Sequence, residues 1–176
     1  MGVHIGPPSA GVLYQLPYQH INTLSAEAAR RLFFLYAALV GLSLSTIFHI
    51  YTGSSITRVF FIAAATFGAL GIWGYTTQRE LSGLGTFLFM GVIGIVIANL
   101  VNFLLRSSGL DWIISIIGIG VFSGLTAYDT QRIKGMYDRG DDASSAGRKA
   151  VMGALSLYLN FINLIMLMLR LAGNRR

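Results

Sequence analysis

No cysteine occurs among the 176 residues, which excludes disulfides, thiolate nucleophiles and zinc–sulfur centres. Charge is scarce as well: Asp, Glu, Lys and Arg make up 11% of the chain, against about 25% in an ordinary soluble domain. Acids are scarcest, 7 against 13 Lys and Arg. Histidine is limited to His4, His20 and His49, scattered and with no carboxylate nearby in sequence. No His-Glu-x-x-His is present, and residues 41–45 fall one glycine short of a nucleophile elbow. A Gly-x-Gly-Asp of intramembrane proteases is absent too. The reading is of a protein that is not an enzyme and needs no cofactor.

What the chain has in excess is apolar sequence, 54% of its residues. Five runs approach the ~20 residues that a membrane span needs: 32–51, 59–75, 84–105, 112–128 and 150–169. None alternates with period two, so each is expected to be a helix that closes its own backbone hydrogen bonds. Nearly all the cations fall in the short gaps between runs, the layout of a multi-pass protein in a lipid bilayer. The net charge of +6 is therefore assigned to span flanks and lipid headgroups, and nucleic acid is not expected as a partner. The expected organisation is an irregular N-terminal segment over residues 1–23 and an all-α transmembrane bundle over 24–176.

Linkers are expected to be tight turns at 52–55, 78–80 and 106–109, with one longer solvated loop over 132–149. That loop holds several acids, but the spacing and closing Glu of an EF-hand are missing. Arg30, Arg31, Arg79, Arg132, Lys134, Arg139, Arg148 and Lys149 collect on one side; Arg58, Arg106, Arg170, Arg175 and Arg176 collect on the other. The positive-inside rule places the first group in the cytoplasm. Gly68, Gly71 and Gly74, then Gly91 and Gly94, then Gly120 and Gly124 are expected to form small-residue packing faces.

One acid stands out. Asp129 ends the run 112–128, and the other four runs carry no acid. A charge at membrane depth costs roughly 2.5–3.5 kcal/mol on insertion scales, so it requires a partner. Asn160, in the last run, is the expected mate. Ser156, Asn160 and Asn163 share one face of that run, and Asn99 and Asn102 share a face of the third. This polar lining is either interhelical glue, at about 0.6 kcal/mol per bond, or a water-bearing path with Asp129 as its fixed negative charge. The plainer alternative for Asp129 is an interfacial acid paired with Arg132.

Several motifs in order resemble those of the Bax inhibitor membrane family. They are Gly41-Leu42-Ser43-Leu44-Ser45-Thr46-Ile47-Phe48 with Tyr51-Thr52-Gly53, the run 58–66, and the turn around 75–83. Ala127-Tyr128-Asp129-Thr130-Gln131-Arg132-Ile133 and Gly153-Ala154-Leu155-Ser156-Leu157-Tyr158-Leu159-Asn160-Phe161-Ile162-Asn163-Leu164 complete the set. The resemblance covers about residues 24–176 and is closest to the bacterial branch. It implies a seven-helix bundle around a central last helix, here represented by its C-terminal five helices. It also implies a bacterial inner membrane location and a pH-dependent calcium leak; some bacterial relatives are linked to a membrane protease. In leak members two aspartates on the last two helices share a proton. Asp129 takes the first position and Asn160 the second, so weaker or shifted pH gating is expected. On this reading Asp129 is the ion-path and pH-sensing group and a possible calcium contact. Asn160 is its partner, with Arg132 and Asn163 in support. The first two family helices are not visible, which suggests a truncated chain or a five-helix variant. In the latter, a second subunit would be expected to cover the polar stripe.

Overall fold

The computed structural model describes residues 25–175, and the segment expected to be irregular, 1–23, lies outside the described residues. Helix α1, Ala26–Leu44, starts on Ser25, whose hydroxyl accepts the Ala28 N–H at 3.2 Å. Glu27 in its first turn complements the positive end of the helix dipole. The single helix expected over 32–51 is broken at residues 45–46. Ser45 donates its hydroxyl to the Leu42 carbonyl at 2.6 Å and Thr46 donates to Ser43 at 3.1 Å. Such hydroxyl-to-backbone bonds compete with the helical ladder, and a short helix α2, Ile47–Ile50, follows.

Helix α3 runs Gly53–Thr76, α4 Ser82–Leu105, α5 Ser108–Gly135 and α6 Ala143–Ala172. With α1 and α2 taken together, five segments among the described residues are long and apolar enough to cross a membrane. The turn from α4 to α5 relies on Arg106 in the left-handed region, φ 49°. Asn102 serves that turn by accepting the Ser107 N–H at 3.0 Å, so it is a cap, not a lining residue of the bundle. Helix α5 continues well past its apolar run, because Gln131, Arg132 and Lys134 find partners on neighbouring elements. The long loop expected over 132–149 thereby shrinks to 136–142. Asp142 ends it, with one carboxylate oxygen accepting the N–H groups of Ser144 at 3.1 Å and Ser145 at 3.4 Å.

Helix α5 is the hub: α3, α4 and α6 all pack on it, and α6 also meets α1 and α3. Glycine sets the closest approaches, at some of the positions the spacing suggested, Gly74, Gly91 and Gly124, and at others outside that set. A Cβ on Gly74 would lie 2.3 Å from the Ala127 carbonyl oxygen, so here the α3 and α5 backbones touch. Gly85 accommodates the Tyr128 ring, Gly124 meets Leu88, and Gly118 meets Leu167. Gly68, Gly94 and Gly120 face open space. The buried core is correspondingly narrow. One cluster holds Leu88, Ile95, Ile114, Val121, Phe122 and Leu167 along α4, α5 and α6. The other holds Ile47, Tyr51, Val59 and Leu169 where α2, α3 and the end of α6 meet. There the Asn174 carbonyl accepts the Thr52 N–H at 3.1 Å, and the Asn174 N–H donates to the Ser55 hydroxyl at 2.9 Å. Most large apolar side chains of α1 and α4 point away from the bundle, as a lipid-facing surface requires.

Candidate functional site: the polar seam between α5 and α6

Residues 129 and 132 lie three apart on α5, and 156 and 160 four apart on α6, so each pair shares a face. The two faces meet. Asn160 Nδ2 donates to Asp129 Oδ2 at 2.8 Å, and Arg132 Nη2 lies 3.1 Å from Asp129 Oδ1. The same guanidinium donates to the Ser156 hydroxyl at 3.2 Å and sits 5.8 Å from the centre of the Tyr128 ring. Asp129 and Asn160 are 7% and 5% exposed, whereas the Arg132 side chain is 47% exposed. The carboxylate is thus inside the bundle while its cation is half exposed at the bundle surface.

Asp129 is also deeper than the apolar run suggested, since α5 continues to Gly135. Asn163 is not brought to it: its amide donates to the Leu159 carbonyl of its own helix at 2.8 Å. The polar stripe of α6 is therefore divided in use, with Ser156 and Asn160 facing α5 and Asn163 bonded along α6. Among the described residues, every fully buried side-chain nitrogen or oxygen has a hydrogen-bond partner. Neighbouring hydroxyls add none to the carboxylate, since Thr126 donates to the Phe122 carbonyl at 2.8 Å and Thr130 to Thr126 at 2.7 Å. Among the described residues no three His, Cys, Asp or Glu side chains converge as a metal cage.

Residues beside the seam fasten its surroundings. Gln131 accepts the Leu81 N–H at 2.9 Å and donates to the Arg79 carbonyl at 2.8 Å, holding the α3–α4 linker against α5. Lys134 donates to the Tyr75 carbonyl at 2.8 Å, near the C-terminus of α3, and stacks over the Tyr75 ring. At the far end of α5 lies a cluster that the apolar-run reading missed. Arg170 meets Asn99 at 2.9 Å and Asp111 at 3.4 Å. Asp111 borders the run 112–128 and takes no role in the sequence reading, and Arg170 is counted there among the flanking cations. The 18-residue interval from Asp111 to Asp129, five helical turns, was the available signal.

A family model for the inhibitor of apoptosis-promoting Bax1 matches residues 11–176. The chain belongs to the Bax inhibitor family. The inner membrane protein YbhL of Escherichia coli strain K12 is 52% identical over 158 residues, covering 89% of this chain and 68% of that protein. The Rickettsia prowazekii protein RP147 is 48% identical over 159 residues, covering 90% of this chain and 67% of its own length. A Borreliella burgdorferi relative is 49% identical over 157 residues, covering 89% and 68%. With YbhL as a relative and, among the described residues, five helical segments long and apolar enough to cross a membrane, this Bax inhibitor family chain is a multi-pass inner membrane protein.

Proposed function

We propose that the protein is a slow cation leak of the inner membrane, with calcium as its cargo and Asp129 as the group that attracts the ion and responds to pH. The observation that carries this reading is a buried carboxylate held across two helices, Asn160 on one oxygen and Arg132 on the other. Interhelical glue has no need of an ionisable group, and a charge inside a span is costly unless it is used. Calcium prefers six to eight oxygens. Asp129, the Asn160 amide oxygen and the Ser156 hydroxyl offer only a few, which suits passage better than tight binding.

In this mechanism ionised Asp129 ties α5 to α6 through Asn160 and retains Arg132. A proton on Asp129 cancels the charge that Arg132 pairs with and loosens the tie. Because the partner is an amide and not a second acid, the repulsion that makes two carboxylates titrate as a unit is absent. The leak is accordingly only modestly pH-dependent. Lipid is the surrounding partner, a second copy of the chain is a further candidate partner, and no chemical step is assigned.

Calcium flux in proteoliposomes of purified protein, compared with Asp129→Asn, tests the reading. We expect measurable flux that the substitution alters and makes insensitive to pH. Flux that is unchanged by the substitution, or missing from both proteins, refutes it. That result would favour a non-conducting regulator that docks through its helices on another integral protein such as a membrane protease. The completeness of the hydrogen bonding in the seam is what recommends this second reading.

A further inference from the structure

The α5–α6 seam has polar closures at both ends. Asp111 and Asp129 are 18 residues apart on α5, five full turns, so they project from one face about 27 Å apart. At the Asp111 end, Arg170 of α6 donates Nη1 to the Asn99 side-chain oxygen of α4 at 2.9 Å and lies 3.4 Å from Asp111 Oδ1. One guanidinium thus joins three helices. Asn99 is itself fixed, because its Nδ2 donates to the Ile95 carbonyl at 2.9 Å. Between the two clusters Ile114, Phe122, Leu164 and Leu167 are buried, and the buried hydroxyls of Ser115 and Thr126 are spent on carbonyls of their own helix.

We propose that Asp111, Arg170 and Asn99 form a second gate at the membrane face opposite Asp129, one that a cation following the seam has to open separately. The proposal rests on the cation-leak reading above. A guanidinium on Asp111 occupies the carboxylate that an arriving cation needs, and its own charge repels that cation. Asn99 holds the arginine from a third helix, so it swings aside only when α4 and α6 part. Each acid on this face of α5 is therefore covered by its own arginine: Arg132 at one end, Arg170 at the other. The Asp111 and Arg170 side chains are each 30% exposed. Ser115, one turn deeper, is fully buried and donates its hydroxyl to the Asp111 carbonyl at 2.8 Å.

The chain lacks cysteine, so Ser115→Cys introduces a single thiol just behind the gate. In proteoliposomes, its labelling by a membrane-impermeant maleimide is followed alongside calcium flux. We expect Arg170→Gln to speed labelling at least fivefold and to raise flux several-fold. The charge reversal Asp111→Arg with Arg170→Asp is expected to return both to the original rates, which a merely misfolded variant would not do. Equal labelling with and without Arg170→Gln overturns the gate, whatever the flux, and so does a charge reversal that leaves labelling fast. Faster labelling with rescue, but no calcium flux in any variant, sustains the gate at this end and overturns the cation-leak reading instead.

Discussion

Removing the amide that faces Asp129 is the most direct perturbation of the seam. The Asn160 hydrogen bond is 2.8 Å long, buried on both sides and received by a carboxylate. Bonds to charged groups contribute about 1.5–3 kcal/mol in proteins. Interhelical polar pairs in membranes average only about 0.6 and reach about 1.7 kcal/mol, because the unfolded chain in lipid also finds partners. Charge and burial place this bond at the top of the membrane range. Arg132 supplies Asp129 with a second partner at 3.1 Å, but its half-exposed side chain is screened by water and substitutes poorly. A coupling of about 1.5 kcal/mol is therefore expected between Asp129→Ala and Asn160→Ala in a double-mutant cycle. The assay is reversible unfolding in mixed micelles for the parent, both single variants and the double variant. Asn160→Ala alone should cost more than the coupling, since it also leaves a small cavity. Coupling below about 0.5 kcal/mol, the scatter seen for independent sites, would refute the assignment of this bond as the tie between α5 and α6.

Gly74→Ala forces a methyl against the Ala127 carbonyl oxygen and is expected to destabilise by about 1–3 kcal/mol in the same unfolding assay, whereas Gly68→Ala, facing open space, should be near neutral; equal effects would contradict the backbone contact. Asn160→Asp brings a second carboxyl to within hydrogen-bond distance of the first, where two full charges repel by roughly 6 kcal/mol at an effective dielectric of 20. Calcium flux should then vary with pH more steeply than in the parent, and superimposable profiles would count against the proposed role of the amide. At the start of α6, the Ser145 side chain, followed by the Ser145 and Ser144 backbone N–H groups and the Arg148 charge, holds the exposed Asp142 carboxyl below its ordinary value of 3.8. A lowered folded-state value stabilises at neutral pH and loses that contribution as pH falls below the ordinary value. The stability difference between the parent and Asp142→Asn is thus expected to be flat above about pH 5 and to shrink below 3.8; a difference that persists at lower pH would exclude the mechanism.

Hydropathy located all five spans because lipid demands long apolar helices, and that demand is written in every residue of a run. It located the Asp129–Asn160 meeting for a related reason: an acid in such a run has few possible mates. Helix ends were less legible. Residues 132–135 read as loop by polarity, yet they are helical, with Arg132 bonded to Ser156 and Lys134 to the Tyr75 carbonyl. The break at Ser45 and Thr46 was hidden for the opposite reason, since hydroxyls bonding back to the chain interrupt a helix without lowering its hydropathy much. Glycine spacing found Gly74, Gly91 and Gly124 but not every contact, because packing partners are chosen by the whole bundle: Gly118, outside the spaced pair at 120 and 124, receives Leu167. Asp111 and Arg170 escaped notice because each borders its run, where a charge is free to meet water. Only the fold reveals that they meet each other.

At Gly74 nothing but hydrogen separates one main chain from another. A joint that tight has no slack for sliding by a residue, and rotation about either axis would drive the Ala127 oxygen into its neighbour. The second and fourth spans are thus in backbone contact at that point. The final span shares its longest interface with the fourth, and it is held there by side-chain fits such as Leu167 on Gly118 and Ile133 on Gly153.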